Sequence, residues 1–322
     1  VDRTRVVLEG STWKHPDEVF TLPVAQTGSD APQRITDSNP WLAEVEMARQ
    51  ELVRYEARDG LEIEGLLIRP LAMHHGDPPP LMLVVHGGPE AHYRNGWMSY
   101  YSRPGQVAAA QGYAVFYPNY RSSTGRGVEF SKMGQSDAAG PEFDDLVDGV
   151  EHLGGEGIVD GDRVGVTGGS YGGYATAWLS TRYTDHFQAG VMFVGISNKM
   201  SKALTTEIPI EDRDVHTLTD PWKKFDFSLE RSPISYVEQA RTPLLISGGT
   251  ADSRVHPSQS LQLYRALKLR NKSPVRYVRY PGEGHGNADM AARQDYAERL
   301  LRWMDHFVVE GADELPPWKL HD

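Results

Sequence analysis

Cysteine does not occur in the 322 residues. Disulfides, a thiolate nucleophile and cysteine-ligated metals are therefore excluded. The compartment stays open, because exported proteins can also lack cysteine. Long apolar runs are missing as well. No stretch reaches the length of a membrane-spanning helix, and the N-terminus carries no signal-peptide pattern. The chain reads as soluble and without a membrane partner, with the cytoplasm favoured and the periplasm or secretion left open. Basic clusters are scarce too. The 33 Lys and Arg residues are outnumbered by 44 Asp and Glu, for a formal net charge of −11. A phosphate-backbone partner is disfavoured by that balance, and no nucleic acid is expected. The first residue is Val1 rather than Met, which fits a chain that belongs to something longer.

Two further absences bear on chemistry. There is no His-Glu-x-x-His pattern and no obvious carboxylate cluster, so no metal is expected. The adjacent His74 and His75 lie on a loop with Gly and Pro, where histidines are more often solvated than metal-bound. The glycine-rich run Ser122–Gly127 lacks the Gly-Lys-Ser/Thr ending of a phosphate-binding loop. Nucleotide binding is discounted on that ground, and no cofactor is expected.

The patterning that is present divides the chain in two. Residues 1–48 alternate short β-prone pieces (Arg5–Leu8, Glu18–Leu22) with polar turns such as Thr27–Ala31, and read as a β-rich extension. Residues 49–322 form the main domain. It opens with strand candidates Leu52–Ala57 and Leu61–Arg69 around the hairpin signal Asp59-Gly60. Leu81–Val85 and Ala114–Tyr117 are continuous apolar runs, the mark of strands buried on both faces. Phe143, Leu146, Val147, Val150 and Leu153 share one helical face. Strand candidates Ala189–Val194, Pro243–Ser247 and Val275–Tyr280 follow, interleaved with helices at Pro257–Leu269 and Ala291–Val309. This alternation predicts an α/β fold with a mostly parallel, twisted sheet and helices on both faces. Ser197 to Ala240 is irregular. Its Trp222, Phe225 and Phe227 read equally well as cleft residues or as the core of a small helical excursion.

Within Arg163–Trp178 the segment RVGVTGGSYGGYATAW runs a short strand into Gly168-Gly169-Ser170-Tyr171-Gly172 and on into a helix. That is the context of a nucleophile elbow, a turn so crowded that small residues must flank the serine. A serine hydroxyl needs a base to take its proton and a third group to orient that base. Both come in the expected order. Asp252 follows the strand Pro243–Ser247, and His285 follows the strand Val275–Tyr280. Glu283 and His256 are the rivals for acid and base. Glu283 stands too near His285 in sequence to support its ring, and His256 opens a helix, where capping suits it better. Donors for a developing oxyanion are expected at the backbone N–H of Tyr171 and of Gly88, in the His86-Gly87-Gly88-Pro89 turn after Leu81–Val85.

Taken together, HGGP, PNYRSSTGRG (Pro118–Gly127), TGGSYGGY (Thr167–Tyr174), GTADSRVHPSQS (Gly249–Ser260) and GEGHG (Gly282–Gly286) resemble the prolyl oligopeptidase family of serine peptidases. The likeness is greatest to its acylaminoacyl-peptidase and dipeptidyl-peptidase branches and covers about Glu51 to Val309. It implies an α/β-hydrolase fold, with Ser170 as nucleophile, Asp252 as orienting acid and His285 as base. It implies that Arg254 binds a substrate carbonyl, and that Ile196 and Val255 line the pocket for the side chain before the scissile bond. A surface ion pair for Arg254 and plain packing for the other two are the alternatives. Prolyl oligopeptidases proper offer a tyrosine hydroxyl to the oxyanion where this chain has His86, so strict proline specificity is not implied. The family also implies short peptide substrates and a β-propeller over the active site, of which residues 1–48 would be the end of the last blade. Homo-oligomerisation stays open. Arg121, Arg126 and Arg254 are the candidate anchors for a peptide C-terminus. A carboxylic-ester hydrolase with the same triad and an inactive binding module are the competing readings of function.

Overall fold

In the computed structural model, residues 4–24, 31–73 and 78–320 are described; the loop histidines His74 and His75 lie outside them. Eleven strands occur among the described residues, in two sheets. The first sheet is antiparallel and three-stranded, formed by β1 (Arg5–Thr12), β2 (His15–Pro23) and β3 (Gln33–Arg34). In β1 the successive residues Val6, Val7 and Leu8 are all exposed, so both faces of that strand are open, which accounts for how little apolar periodicity this stretch carries.

The second sheet holds the remaining strands: β4 (Gln50–Glu56), β5 (Glu62–Ile68), β6 (Pro80–Val85), β7 (Ala114–Asn119), β8 (Asp160–Gly169), β9 (Ala189–Phe193), β10 (Leu244–Gly249) and β11 (Val275–Tyr280). Their spatial order is β11-β10-β9-β8-β6-β7-β5-β4. From β7 to β11 every neighbouring pair is parallel, whereas β4–β5 and β5–β7 are antiparallel. Every residue of β6, β7, β9 and β10 is buried. These are the runs whose unbroken apolar character calls for cover on both faces.

Helices supply that cover. Pro141–Gly155 and Tyr171–Arg182 pack Phe143, Leu146, Tyr174 and Trp178 onto one face together with Leu81, Leu83 and Val166. Gly105–Ala110 and Met290–Met304 pack Ala108, Ala109, Tyr296, Leu300 and Trp303 onto the other, against Met82, Val84 and Val191. A third cluster joins Leu263 and Leu267 of helix Ser258–Arg270 to Leu244 and Ile246 of β10. With six parallel strands side by side, the loops after β6, β7, β8, β9, β10 and β11 all leave from one edge of the sheet. In open sheets of this kind, ligands bind at that carboxyl edge.

Candidate active site

The chain leaves β8 at Gly169 and enters helix Tyr171–Arg182 one residue later, with Ser170 between them at φ 60°, ψ −120°. This left-handed-side conformation is costly for a residue with a Cβ and persists only where the surroundings impose it. The surroundings are tight. A Cβ on Gly172 would lie 2.1 Å from the Val85 carbonyl oxygen of β6, so the helix can start this close to the sheet only with glycine there. Ser170 N–H donates to Phe193 O of β9 at 3.0 Å, and Ser170 O accepts from Tyr174 N–H at 2.9 Å. The serine is thereby lifted above the sheet edge.

Asp252 follows β10 and His285 follows β11, neighbouring parallel strands. Their loops are tied by Thr250 N–H to Tyr280 O at 3.0 Å, Ala251 N–H to Glu283 O at 2.9 Å, and Gly282 N–H to Thr250 Oγ1 at 2.8 Å. Asp252 is buried, and its Oδ1 accepts from Arg254 N–H and Val255 N–H, each at 2.9 Å. Its Oδ2 lies 2.8 Å from His285 Nδ1. The carboxylate can only accept, so Nδ1 carries the proton and Nε2 is left with its lone pair free to act as a base. Ser170 and His285 both line a cavity of about 410 Å³ that also takes in Gly88, Tyr171, Ile196, Arg254 and Val255.

The structure gives the two rivals other work. Glu283 accepts from Ala288 N–H at 2.6 Å and Asp289 N–H at 3.0 Å, shaping the loop that leads into helix Met290–Met304. His256 Nδ1 accepts from Ser258 N–H at 3.2 Å, satisfying a donor at the start of helix Ser258–Arg270.

Of the two expected oxyanion donors, Tyr171 is the first residue of its helix, where backbone N–H groups have no intrahelical partner. Gly88 takes φ 124°, and a Cβ there would stand 2.5 Å from the Glu90 nitrogen. His86 does not line the cavity. It is buried, stacks on Tyr120 with ring centroids 4.3 Å apart, and has Nδ1 2.8 Å from Gly87 O and Nε2 2.8 Å from Ser123 Oγ. Burial lowers its pKa to about 4. Beneath the elbow, Tyr171 OH donates to Glu142 Oε1 at 2.9 Å. Glu142 also accepts from Ala139 N–H at 2.5 Å and Gly140 N–H at 3.1 Å, and burial raises its pKa to about 7.

Two sets of candidates that the sequence leaves open are narrowed by the structure. Of the three candidate arginine anchors, only Arg254 lines the cavity, and it is also ion-paired, with Nε 3.0 Å from Glu207 Oε1. Arg121 is buried between Asp145 and Asp59, which take up its guanidinium, and Arg126 donates to Glu62 O and covers the Phe130 ring. Nor do Trp222, Phe225 and Phe227 line the cavity: the first two are exposed, and Phe227 packs under Lys224 and Arg231. What sequence reasoning missed is the rest of the charged lining, Glu90, Lys199, Lys202, Glu211, Asp212 and His216. The last five lie in the irregular segment. Its only advance signal was a density of charge unusual for a stretch that folds into the interior.

The chain is similar to known peptidases. The family model described as "Prolyl oligopeptidase family" matches residues 99–310. The uncharacterized peptidase YuxL of Bacillus subtilis is 34% identical over 91% of this chain and 44% of its own length. Dipeptidyl aminopeptidase BIII of Pseudoxanthomonas mexicana is 41% identical over 66% of this chain and 31% of its own. Among solved structures, an acylaminoacyl peptidase of Pyrococcus horikoshii superposes with a TM-score of 0.85 at 25% identity, over 99% of this chain and 50% of its own. The chain thus spans half or less of the length of each of these relatives.

Proposed function

The chain belongs to the prolyl oligopeptidase family, and from that membership we propose that it hydrolyses short peptides, with Ser170 as nucleophile, His285 as base and Asp252 as orienting acid. The observation that carries this reading is the hydrogen bond of His285 Nδ1 to the buried Asp252, in the cavity that Ser170 lines. Nε2 of His285 takes the Ser170 proton as Oγ bonds to the peptide carbonyl carbon. The carbonyl electrons move to oxygen, where the N–H groups of Tyr171 and Gly88 receive the negative charge. Collapse breaks the C–N bond, and His285 hands the proton to the departing amine. Water then attacks the acyl-enzyme with His285 again as base, releasing the acid and restoring Ser170.

Ile196 and Val255, both buried at the cavity wall, form the pocket for the side chain before the scissile bond. Arg254 reaches a substrate carbonyl from its ion pair with Glu207. The pinning of His86 on Ser123 and its own turn favours a backbone donor over a side-chain hydroxyl on this side of the oxyanion. The antiparallel sheet β1–β3 and the greater length of the relatives favour reading residues 1–48 as the end of a β-propeller and residues 49–322 as the catalytic domain.

Ser170→Ala tests the assignment. Hydrolysis of peptide p-nitroanilides should fall by roughly 10⁴ or more, and labelling by a fluorophosphonate should vanish. Labelling that persists at another serine overturns it.

A further inference from the structure

Part of the Ser170 cavity wall is charged, with an almost dry centre at Lys199, Lys202 and Asp212 and a more open rim at Glu90. Lys199 and Lys202 come from the short helix Lys199–Ala203, Asp212 and His216 from the helical turn Asp212–Thr217, and Glu90 from the loop after β6. Lys199, Lys202 and Asp212 are 6%, 3% and 2% exposed. Lys202 Nζ donates to Asp212 Oδ1 at 2.5 Å. Lys199 Nζ is 3.9 Å from the same oxygen, beyond hydrogen-bond reach. His216 has Nδ1 3.7 Å from Asp212 Oδ1 and Nε2 3.4 Å from Glu90 Oε2. Burial pulls the His216 pKa down, but those two carboxylates outweigh it and the net shift is upward.

One carboxylate, Asp212, is therefore shared among three cationic groups, and Glu90 meets only His216. A buried cation surplus is expensive unless an anion completes it. The other charges on the cavity do not supply that anion. Glu211 attracts Lys202 but is exposed, where water screens it, and Glu207 is committed to Arg254. Lys199 is also held in place. Its backbone N–H donates to Ser232 Oγ at 2.9 Å, and its ammonium lies 5.8 Å from the ring centroid of Tyr174, one turn along the helix that Ser170 caps. An ammonium has three donors, and no hydrogen bond within the chain uses those of Lys199 among the described residues.

We propose that Lys199, backed by Lys202, receives a substrate carboxylate in the Ser170 cavity. The proposal rests on Ser170 being the nucleophile. The carboxylate has two sources, the side chain of an Asp or Glu next to the scissile bond or the free C-terminus of a very short peptide, and the test separates them. In one arm, acetyl-Ala-Glu and acetyl-Ala-Gln p-nitroanilides are compared. In the other, cleavage of acetylated tripeptides with free or amidated C-termini is followed by mass spectrometry. The carboxylate-bearing member of at least one pair should be favoured by about tenfold or more in kcat/KM, as a charge-assisted hydrogen bond requires. Lys199→Met should bring that ratio towards one, and Lys199→Arg, which keeps the charge, should largely retain it. Thermal melts show whether each variant is folded. Ratios near one in both arms for the unaltered chain overturn the proposal, with no variant needed. So does an unchanged ratio in a folded Lys199→Met. Cleavage without preference leaves the Ser170 reading standing, whereas a panel that is not cleaved and a Ser170 that is not labelled bring down both.

Discussion

Asp252 divides its two oxygens between two tasks, and this makes one substitution unusually diagnostic. Oδ1 accepts from two backbone N–H groups while Oδ2 faces His285 Nδ1. In Asp252→Asn those backbone donors force the amide oxygen onto their side and turn the NH₂ towards the imidazole. Nδ1 must then accept, the proton moves to Nε2, and the base can no longer take the serine proton. Peptide hydrolysis should fall by roughly 10⁴ with little change in melting temperature. A loss under tenfold, measured with p-nitroanilides, would contradict the assigned roles. Glu142 is the second informative residue. Its pKa rises from 4.5 to about 7 because it is buried, so between those values the folded chain holds a proton that the unfolded chain has released. The ionised form therefore opposes folding. This group's stabilising contribution is complete below about 4.5 and lost as pH rises through about 7, a change on the order of 3 kcal/mol. Glu142→Gln should remove that slope. Urea melts across this range should show the stability of the variant, relative to the unaltered chain, improving as pH rises.

Among the elements, the elbow helix is held by contact rather than by propensity. Tyr171–Arg182 carries Gly172, Gly173 and Thr176 in its first turns and an apolar side chain on nearly every face, so its stability comes from packing between the sheet and the loop above it. Gly172→Ala would drive a methyl into the Val85 carbonyl of β6, where the partner is backbone in a central strand and cannot yield. The expected cost is about 3 kcal/mol in a denaturant melt, with slower fluorophosphonate labelling of Ser170. Elements of this kind are readable from sequence because a single constraint dominates each. Leu81–Val85 has to be covered on both faces, and the loops that carry Asp252 and His285 follow neighbouring parallel strands and so leave the same sheet edge. Lys199, Lys202, Asp212 and His216 obey no such local rule. They sit in helices of one or two turns, too short to show a period, and they reach the Ser170 cavity only because the path from Ser197 to Ala240 folds back over the carboxyl edge of the sheet. Their spacing in sequence says nothing of that path. The same blindness made Arg121 look like a surface anchor, since an arginine in a Gly/Ser loop gives no sign of the carboxylates that meet it from elsewhere.

Those carboxylates tie the molecule together. Arg121, in the loop after β7, donates Nε and Nη2 to Asp145 of helix Pro141–Gly155 at 2.6–3.0 Å, and Nη1 and Nη2 to Asp59 in the β4–β5 turn at 2.7 and 2.9 Å. Tyr55 OH of β4 donates to Asp145 O at 2.7 Å, and Arg58 Nη2 pairs with Asp148 at 2.6 Å. The antiparallel hairpin at one side of the sheet is thus fastened to a helix that also underlies the elbow through Glu142. The side chain of Asp145 is fully buried. Burial raises its pKa above the usual value, and hydrogen bonding to Arg121 offsets only part of that rise. Arg121→Met leaves the carboxylate buried without its partner and should cost roughly 3–5 kcal/mol near neutral pH. The sign of the pH dependence follows. Without the guanidinium the folded-state pKa of Asp145 climbs further, so the deficit is largest where the group is ionised and shrinks as pH falls towards about 4 and the carboxyl takes a proton. Asp145→Leu added to Arg121→Met should recover only part of the loss, because it removes the buried charge but also takes away the acceptor that Asp145 Oδ2 gives to the backbone N–H of residue 121 at 2.9 Å. Because Arg121 does not line the Ser170 cavity, the folded double variant should keep the carboxylate preference of the unaltered chain in the peptide comparison. A preference lost there, with Lys199 and Lys202 both intact, would contradict their role as the carboxylate's receptors.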